Sequence, residues 1–176
     1  MTRQPRTRLE GFVDLLLGDR ARDATHHQIR AYVLEQATVL EFDIDEVLAA
    51  SIASGLQSAQ VLKSEVLWRL PIPVRLDMLA DLLEREGLRD RWPYVIPVLR
   101  SFFELRHQLA HGLAHPIEVS GRGVEVTTVK RGRTVKTTYS GERLEWLAWQ
   151  AHVTSLELAQ IWAAVVPATK AWHELS

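Results

Sequence analysis

The sequence contains no cysteine, and this absence removes several kinds of chemistry at once. Without a thiol there is no disulfide framework, no cysteine nucleophile, no iron–sulfur cluster and no cysteine-ligated zinc site. No run of 18 consecutive apolar residues occurs, so the sequence predicts no membrane-spanning helix. The first 20 residues lack a long apolar region followed by a small-residue cleavage site, which favours a cytoplasmic location over secretion.

The chain of 176 residues also lacks an excess of charge of either sign, since its formal net charge is −1. Its composition is typical of a single globular domain, which we place at residues 9–176 after a basic arm at residues 1–8. Basic residues concentrate again between residues 116 and 140, in a segment that attracts phosphate or simply forms a solvated edge strand. These candidate RNA-binding residues are Arg122, Lys130, Arg131, Arg133 and Lys136.

Most of the chain has the apolar periodicity of helices, and proline and glycine mark where the helices end. The first predicted helix has an alternative break where Asp43 or Asp45 would cap a new helix. The second is expected to turn Val61, Leu62, Val66 and Leu67 inward. The predicted helices cover residues 25–54, 58–70, 73–86, 97–111 and 141–164.

Between the last two predicted helices the period changes from 3.6 to 2, as in β-strands. Val124 and Val126 alternate with polar residues, and Val135, Thr137 and Tyr139 do so again. Residues 130–133 between these runs predict a hairpin turn, and a third strand is expected near Ile117 and Val119. The β insertion therefore covers about residues 116–140, before the last long helix.

The helix predicted at residues 97–111 is the most informative one. At 100° per residue its apolar side chains form one arc, in which Arg106 also lies. A guanidinium at such a position needs a partner or an opening to a cavity or another subunit. Four residues flank the arc and form a mixed patch suited to contact with a second subunit: Phe103, His107, Ala110 and His111.

The stretch Leu105-Arg106-His107-Gln108-Leu109-Ala110-His111-Gly112 resembles the signature of the HEPN superfamily. That signature is an arginine, a polar residue, a short spacer and a histidine that closes an apolar helix. The resemblance implies a mainly α fold, a HEPN-like helical bundle with a small β-hairpin or three-stranded insertion before the last long helix. It also implies a homodimer and, as in many members, a metal-independent ribonuclease of toxin–antitoxin, phage-defence or CRISPR systems.

The sequence departs from the family pattern at two positions. His107 follows the arginine where asparagine is common, which changes the hydrogen-bonding options. Leu113 stands where toxins that pair with nucleotidyltransferase antitoxins have a modified tyrosine, so the resemblance does not extend to that pairing. An antitoxin or another defence-system protein remains a partner that the resemblance implies.

The chemistry of the motif residues suits cleavage of RNA by its own 2′-hydroxyl. Histidine exchanges protons near neutral pH and arginine binds phosphate through a planar fork, so we expect Arg106, His111 and His107 to be catalytic without a cofactor. On a straight helix Arg106 and His111 point about 140° apart. We therefore expect two copies to combine their residues in one site, with the basic segment at 116–140 guiding the RNA backbone.

Two other interpretations stay open. His107, His111 and His115 recur every four residues, which is a spacing for metal ligands on one helical face, although Gly112 and Pro116 are expected to end the helix first. Alternatively, the same fold serves as a non-catalytic module that binds RNA, a nucleotide or a protein, with Arg106 paired internally and His111 at the helix end.

Overall fold

The computed structural model of the chain describes residues 26–117 and 123–166. Within them the protein is mainly helical, with a small three-stranded antiparallel sheet before the last helix, as the sequence predicted. The helices are α1 (His26–Ile52), α2 (Leu56–Glu65), α3 (Ile72–Arg85), α4 (Val95–His111) and α5 (Gly141–Val165). The strands are β1 (Leu113–Pro116), β2 (Val124–Lys130) and β3 (Arg133–Tyr139). No helix in these ranges has both the length and the apolar character needed to cross a bilayer.

The chain divides into two compact units. The first contains the described residues up to Gln36 together with those between Glu104 and His152, including the sheet. The second contains Ala37–Phe103 and the described residues from Val153 onwards. Each unit buries its own apolar side chains, such as Leu109 and Val126 in the first and Ile44 and Leu79 in the second.

The sheet of the first unit has the order β1-β2-β3, with β2 in the centre. Its hairpin turn is Arg131-Gly132, and both residues have positive φ, 52° and 74°, as a two-residue type I′ turn requires. The sheet begins at Leu113, three residues before the predicted start of the insertion, because Leu113 already pairs with Thr127. Ile117 follows β1 rather than forming a strand, and Val119 and the arm at residues 1–8 lie outside the described residues.

In the second unit, α2 buries different side chains from those predicted for the second helix. Val61 and Val66 were expected inside, but they are 55% and 45% exposed, whereas Ala59 and Leu67 are buried. Val61 is two residues, or about 200°, from the buried Ala59 on α2 and so lies on the opposite side of that helix. Val66 lies beyond α2, which ends at Glu65 and is followed by a short 3-10 helix, Leu67–Arg69. This tighter turn changes the angle between successive side chains, so that a single 3.6-residue period does not describe the segment.

The alternative break in the first helix does not occur, because α1 continues unbroken past both aspartates. Their carboxylates bind side chains from other helices instead of capping a helix start. Nη1 of Arg75 donates to both oxygens of Asp45, at 3.0 and 2.9 Å, and Ser155 donates a 2.6 Å hydrogen bond to Asp43. Burial nevertheless dominates over these contacts and raises the pKa of each carboxyl group.

Candidate functional site

The candidate site lies on the last two turns of α4, which ends at His111, and the next residue, Gly112, approaches the sheet closely. A Cβ on Gly112 would lie 2.5 Å from Cγ1 of Val126 and 2.6 Å from the carbonyl oxygen of Gln108. Only glycine therefore fits where the helix meets β2. The amide of Gly112 still donates to that carbonyl at 2.7 Å, and β1 begins at the next residue.

A chain of polar contacts holds this part of α4 against the hairpin. Nζ of Lys130 donates to Oε1 of Glu104 at 2.7 Å, and Nε2 of Gln108 donates to the same oxygen at 2.9 Å. The hydroxyl of Tyr139 donates to Oε1 of Gln108 at 2.9 Å. Glu104, Gln108 and Gly112 thus form the helical stripe that faces the sheet, at steps of four residues.

The same contacts perturb two titratable groups. The hydrogen bond from Lys130, followed by that from Gln108, lowers the pKa of Glu104, so its carboxylate stays charged. Burial raises the pKa of Tyr139, and the nearby negative charge of Glu104 adds to this effect. Tyr139 therefore keeps its proton and acts as a hydrogen-bond donor to Gln108.

His107 and His111 lie beside this stripe, one residue before Gln108 and Gly112. Both side chains are exposed. Their ring centroids are 4.9 Å apart, and the ring planes make an angle of 54°. The structure therefore brings together two of the three predicted catalytic residues, as an accessible pair of imidazoles along the edge of the contact between α4 and the hairpin.

Arg106 lies on another side of the same helix. It is half-buried, next to the apolar arc formed by Leu105 and Leu109. Because α4 is regular up to His111, the angle of about 140° between Arg106 and His111 on the helix persists. Phe103, expected in the same patch as the histidines, belongs instead to the core of the second unit, where it is 7% exposed and packs edge-on against Phe102.

The hairpin separates the predicted RNA-binding residues by strand parity. Lys130 pairs directly with Arg133, so both side chains are on the face of the hairpin that meets α4. Lys136 lies on the opposite face, where it binds Glu125 at 2.8 Å. Arg131 is exposed in the turn, and Arg122 lies outside the described residues.

One residue near the site could not have been found from local sequence patterns. Nη2 of Arg30, on α1, donates to the carbonyl oxygen of Ala110 at 3.2 Å. This places a cation at the C-terminal turn of α4, where the helix dipole favours positive charge. The two residues are 80 positions apart in the chain, and no spacing rule connects them.

The histidine triplet considered as a metal site does not form on one helical face, because α4 ends at His111 and His115 lies in β1. Across residues 26–117 and 123–166, no group of three or more histidine, aspartate or glutamate side chains is placed to hold a metal ion. One chain thus offers the pair His107 and His111 rather than a full set of ligands within the described ranges.

A cavity of about 200 Å³ is present in the second unit, between α1 and α5. Asp43, Glu46, Leu158, Ala159 and Trp162 line it. Both carboxylates are already engaged, since Asp43 accepts a hydrogen bond from Ser155 and Glu46 is paired with Lys63. The cavity contains none of the predicted catalytic residues, and the exposed histidine pair remains the better candidate site.

Comparison with known proteins adds no identification to this geometry. No protein-family model, no curated protein and no solved structure matches the chain.

Proposed function

We propose that the protein is a metal-independent endoribonuclease of the toxin or defence type, active as a homodimer in the cytoplasm. The observation that carries this proposal is the exposed pair of imidazoles, His107 and His111, at the end of α4. Two accessible histidines side by side are the groups that an acid–base cleavage of RNA needs. The HEPN-like motif around them points to the same chemistry.

In the proposed reaction, one imidazole removes the proton from the 2′-hydroxyl, whose oxygen attacks the adjacent phosphorus. The other imidazole donates a proton to the 5′-oxygen as its bond to phosphorus breaks. The products are a 2′,3′-cyclic phosphate and a 5′-hydroxyl end. Histidine suits both roles because its ordinary pKa lies near neutral pH.

Arg106 stabilises the negative charge of the phosphorane in this proposal. Its orientation about 140° from His111 disfavours a site built from one copy of the helix. A two-fold axis next to α4 brings Arg106 of a second copy towards the histidine pair of the first. The composite site therefore needs a dimer.

The RNA backbone follows the hairpin face that meets α4, where Lys130 and Arg133 lie, and the turn at Arg131. Lys130 must exchange its contact with Glu104 for a phosphate contact. Lys136 contributes less in this arrangement because it lies on the opposite face. Affinity for RNA is expected to fall with salt, as for any binding through phosphate contacts.

The experiment is cleavage of a mixed pool of tRNA and mRNA in EDTA by the wild type and by three variants: Arg106→Ala, His107→Ala and His111→Ala. His115→Ala is the matched control, because His115 is an exposed histidine in β1 outside the pair. We expect loss of cleavage in the three variants, cleavage by the control, and cyclic phosphate ends. Circular dichroism confirms that each variant is folded. Cleavage that persists in His111→Ala, or that EDTA abolishes, contradicts the proposal.

Mixing two inactive variants tests the composite site directly. In a mixed dimer of Arg106→Ala and His111→Ala chains, one site receives the intact histidine pair of the first chain and the intact arginine of the second. We expect the mixture to recover cleavage that neither variant has alone. No recovery, despite exchange of subunits, places Arg106 and His111 of the same copy in one site.

The position of Arg106 beside the apolar arc favours one second candidate, a non-catalytic module that binds RNA or a protein. Here the half-buried guanidinium serves the fold, and the histidines contact the ligand without transferring protons. Fluorescence anisotropy with a labelled RNA separates the two candidates. RNA binding by a wild-type protein that leaves the RNA pool intact supports the module.

A further inference from the structure

The histidine pair has a property that is independent of RNA cleavage, namely its suitability for a transition-metal ion. Two histidines four residues apart on a helix present their imidazoles on one side, which is how helical zinc sites place two ligands. In α4 the centroids of His107 and His111 are 4.9 Å apart, and both rings are exposed. An ion from solution therefore reaches both rings without any rearrangement of the core.

One chain provides only half of a coordination shell. Zinc in proteins prefers four ligands in a tetrahedron, and no group of three ligand side chains exists among the residues that the structure describes. A second copy related by a two-fold axis presents the same pair, and two pairs make four imidazoles.

We infer that His107 and His111 form one half of a zinc-type site, which a second copy of the chain completes. The bound ion links the two chains, with two imidazoles from each. This inference depends on the geometry of the pair and not on ribonuclease activity. The same imidazoles cannot exchange protons with RNA while they bind an ion, so the metal-bridged dimer is a state in which the proposed ribonuclease is inactive.

The test is sedimentation velocity of the full chain over a range of protein concentrations, in EDTA and in a slight excess of Zn²⁺. We expect Zn²⁺ to lower the dissociation constant of the dimer by about tenfold or more, because an ion that binds only the dimer favours it by mass action. His107→Ala and His111→Ala should each lose this response, and His115→Ala should keep it. An unchanged dissociation constant in Zn²⁺, or an unchanged response in His107→Ala, overturns the inference.

Stoichiometry provides the second readout. Competition with a chromophoric zinc indicator should give one ion for two wild-type chains, and a ratio of one ion for each chain overturns the bridged site. Because the cleavage experiment is performed in EDTA, an inactive protein that still dimerises with Zn²⁺ refutes the proposed function alone. A protein that cleaves RNA but ignores Zn²⁺ refutes this inference alone.

Discussion

The hydroxyl of Tyr139 donates a hydrogen bond of 2.9 Å to Oε1 of Gln108, a side chain that is only 5% exposed. The contact joins the end of β3 to the helix that carries the histidine pair, across 31 residues of sequence. It provides a hydrogen-bond donor for the amide oxygen of a buried side chain, so its loss is expected to destabilise the first unit.

Tyr139→Phe removes only this hydroxyl and is expected to lower the free energy of unfolding by about 1–2 kcal/mol, because the buried amide oxygen of Gln108 loses its donor. Urea unfolding followed by circular dichroism measures the change. Tyr94→Phe is the matched control, since Tyr94 is 74% exposed and its hydroxyl can remain hydrated. Equal stability of Tyr139→Phe and the wild type would show that Gln108 finds another donor.

Gly112→Ser is expected to destabilise the protein by about 1–3 kcal/mol, because the new Cβ overlaps Val126 and the backbone of Gln108. Gly55→Ser is the control, since nothing lies within 4 Å of a Cβ there and serine is favoured at the start of α2. Thermal unfolding of the two variants makes the comparison. Similar melting temperatures would mean that the approach of α4 to β2 is loose.

Arg131→Asn should change stability and RNA affinity in opposite directions. The φ of +52° at Arg131 is unfavourable for arginine and accepted by asparagine, so the variant gains about 0.5–1 kcal/mol of stability. Under the proposed function it also loses a phosphate contact, which reduces the salt slope of RNA binding by about 1. Arg131→Lys retains the charge and should show neither change, and a stability gain in that variant would refute the explanation by φ.

Asp43→Asn is expected to change how the free energy of unfolding depends on pH between pH 3 and pH 7. Burial raises the pKa of Asp43 above its usual value of 3.8, so the folded chain retains this proton to higher pH than the unfolded chain. The stabilisation from this group is complete below the usual pKa and is lost as the pH rises through the folded value.

Urea unfolding of the wild type and Asp43→Asn in steps from pH 3 to pH 7 reveals this linkage. The variant should lose less stability than the wild type as the pH rises, while Ser155 still donates to the amide oxygen at position 43. Asp77→Asn is the control, because Asp77 is an exposed carboxylate on α3. Parallel profiles for wild type and Asp43→Asn would contradict the raised pKa.

The helix that carries the site was predictable because all the signals for it are local. The apolar arc gave its buried side, and Gly112 gave its end, which the structure places at His111. The start differs by two residues, since α4 begins at Val95 and Pro97 lies in its first turn. Proline is tolerated there because the first amides of a helix have no acceptor within it.

The features that sequence reasoning missed depend on contacts between distant residues. The sequence predicted Asp43 or Asp45 as an alternative helix cap. Nothing in the sequence indicates that Ser155 and Arg75 bind these carboxylates in the middle of a helix. The hydrogen bond between Tyr139 and Gln108 and that between Arg30 and Ala110 are equally long-range. Such pairings follow from tertiary packing, which overrides local preference.

A single residue, Gly112, connects the end of α4 to the first strand of the sheet. Because no longer loop separates His111 from β1, the connection has no extra length that could absorb a displacement of the sheet relative to α4. The contact of Lys130 with Glu104 ties the tip of the hairpin to the same helix, one turn before His107. A phosphate that takes Lys130 away from Glu104 therefore releases one of the two connections between the hairpin and the histidine-bearing end of α4, and leaves the junction at Gly112 as the other.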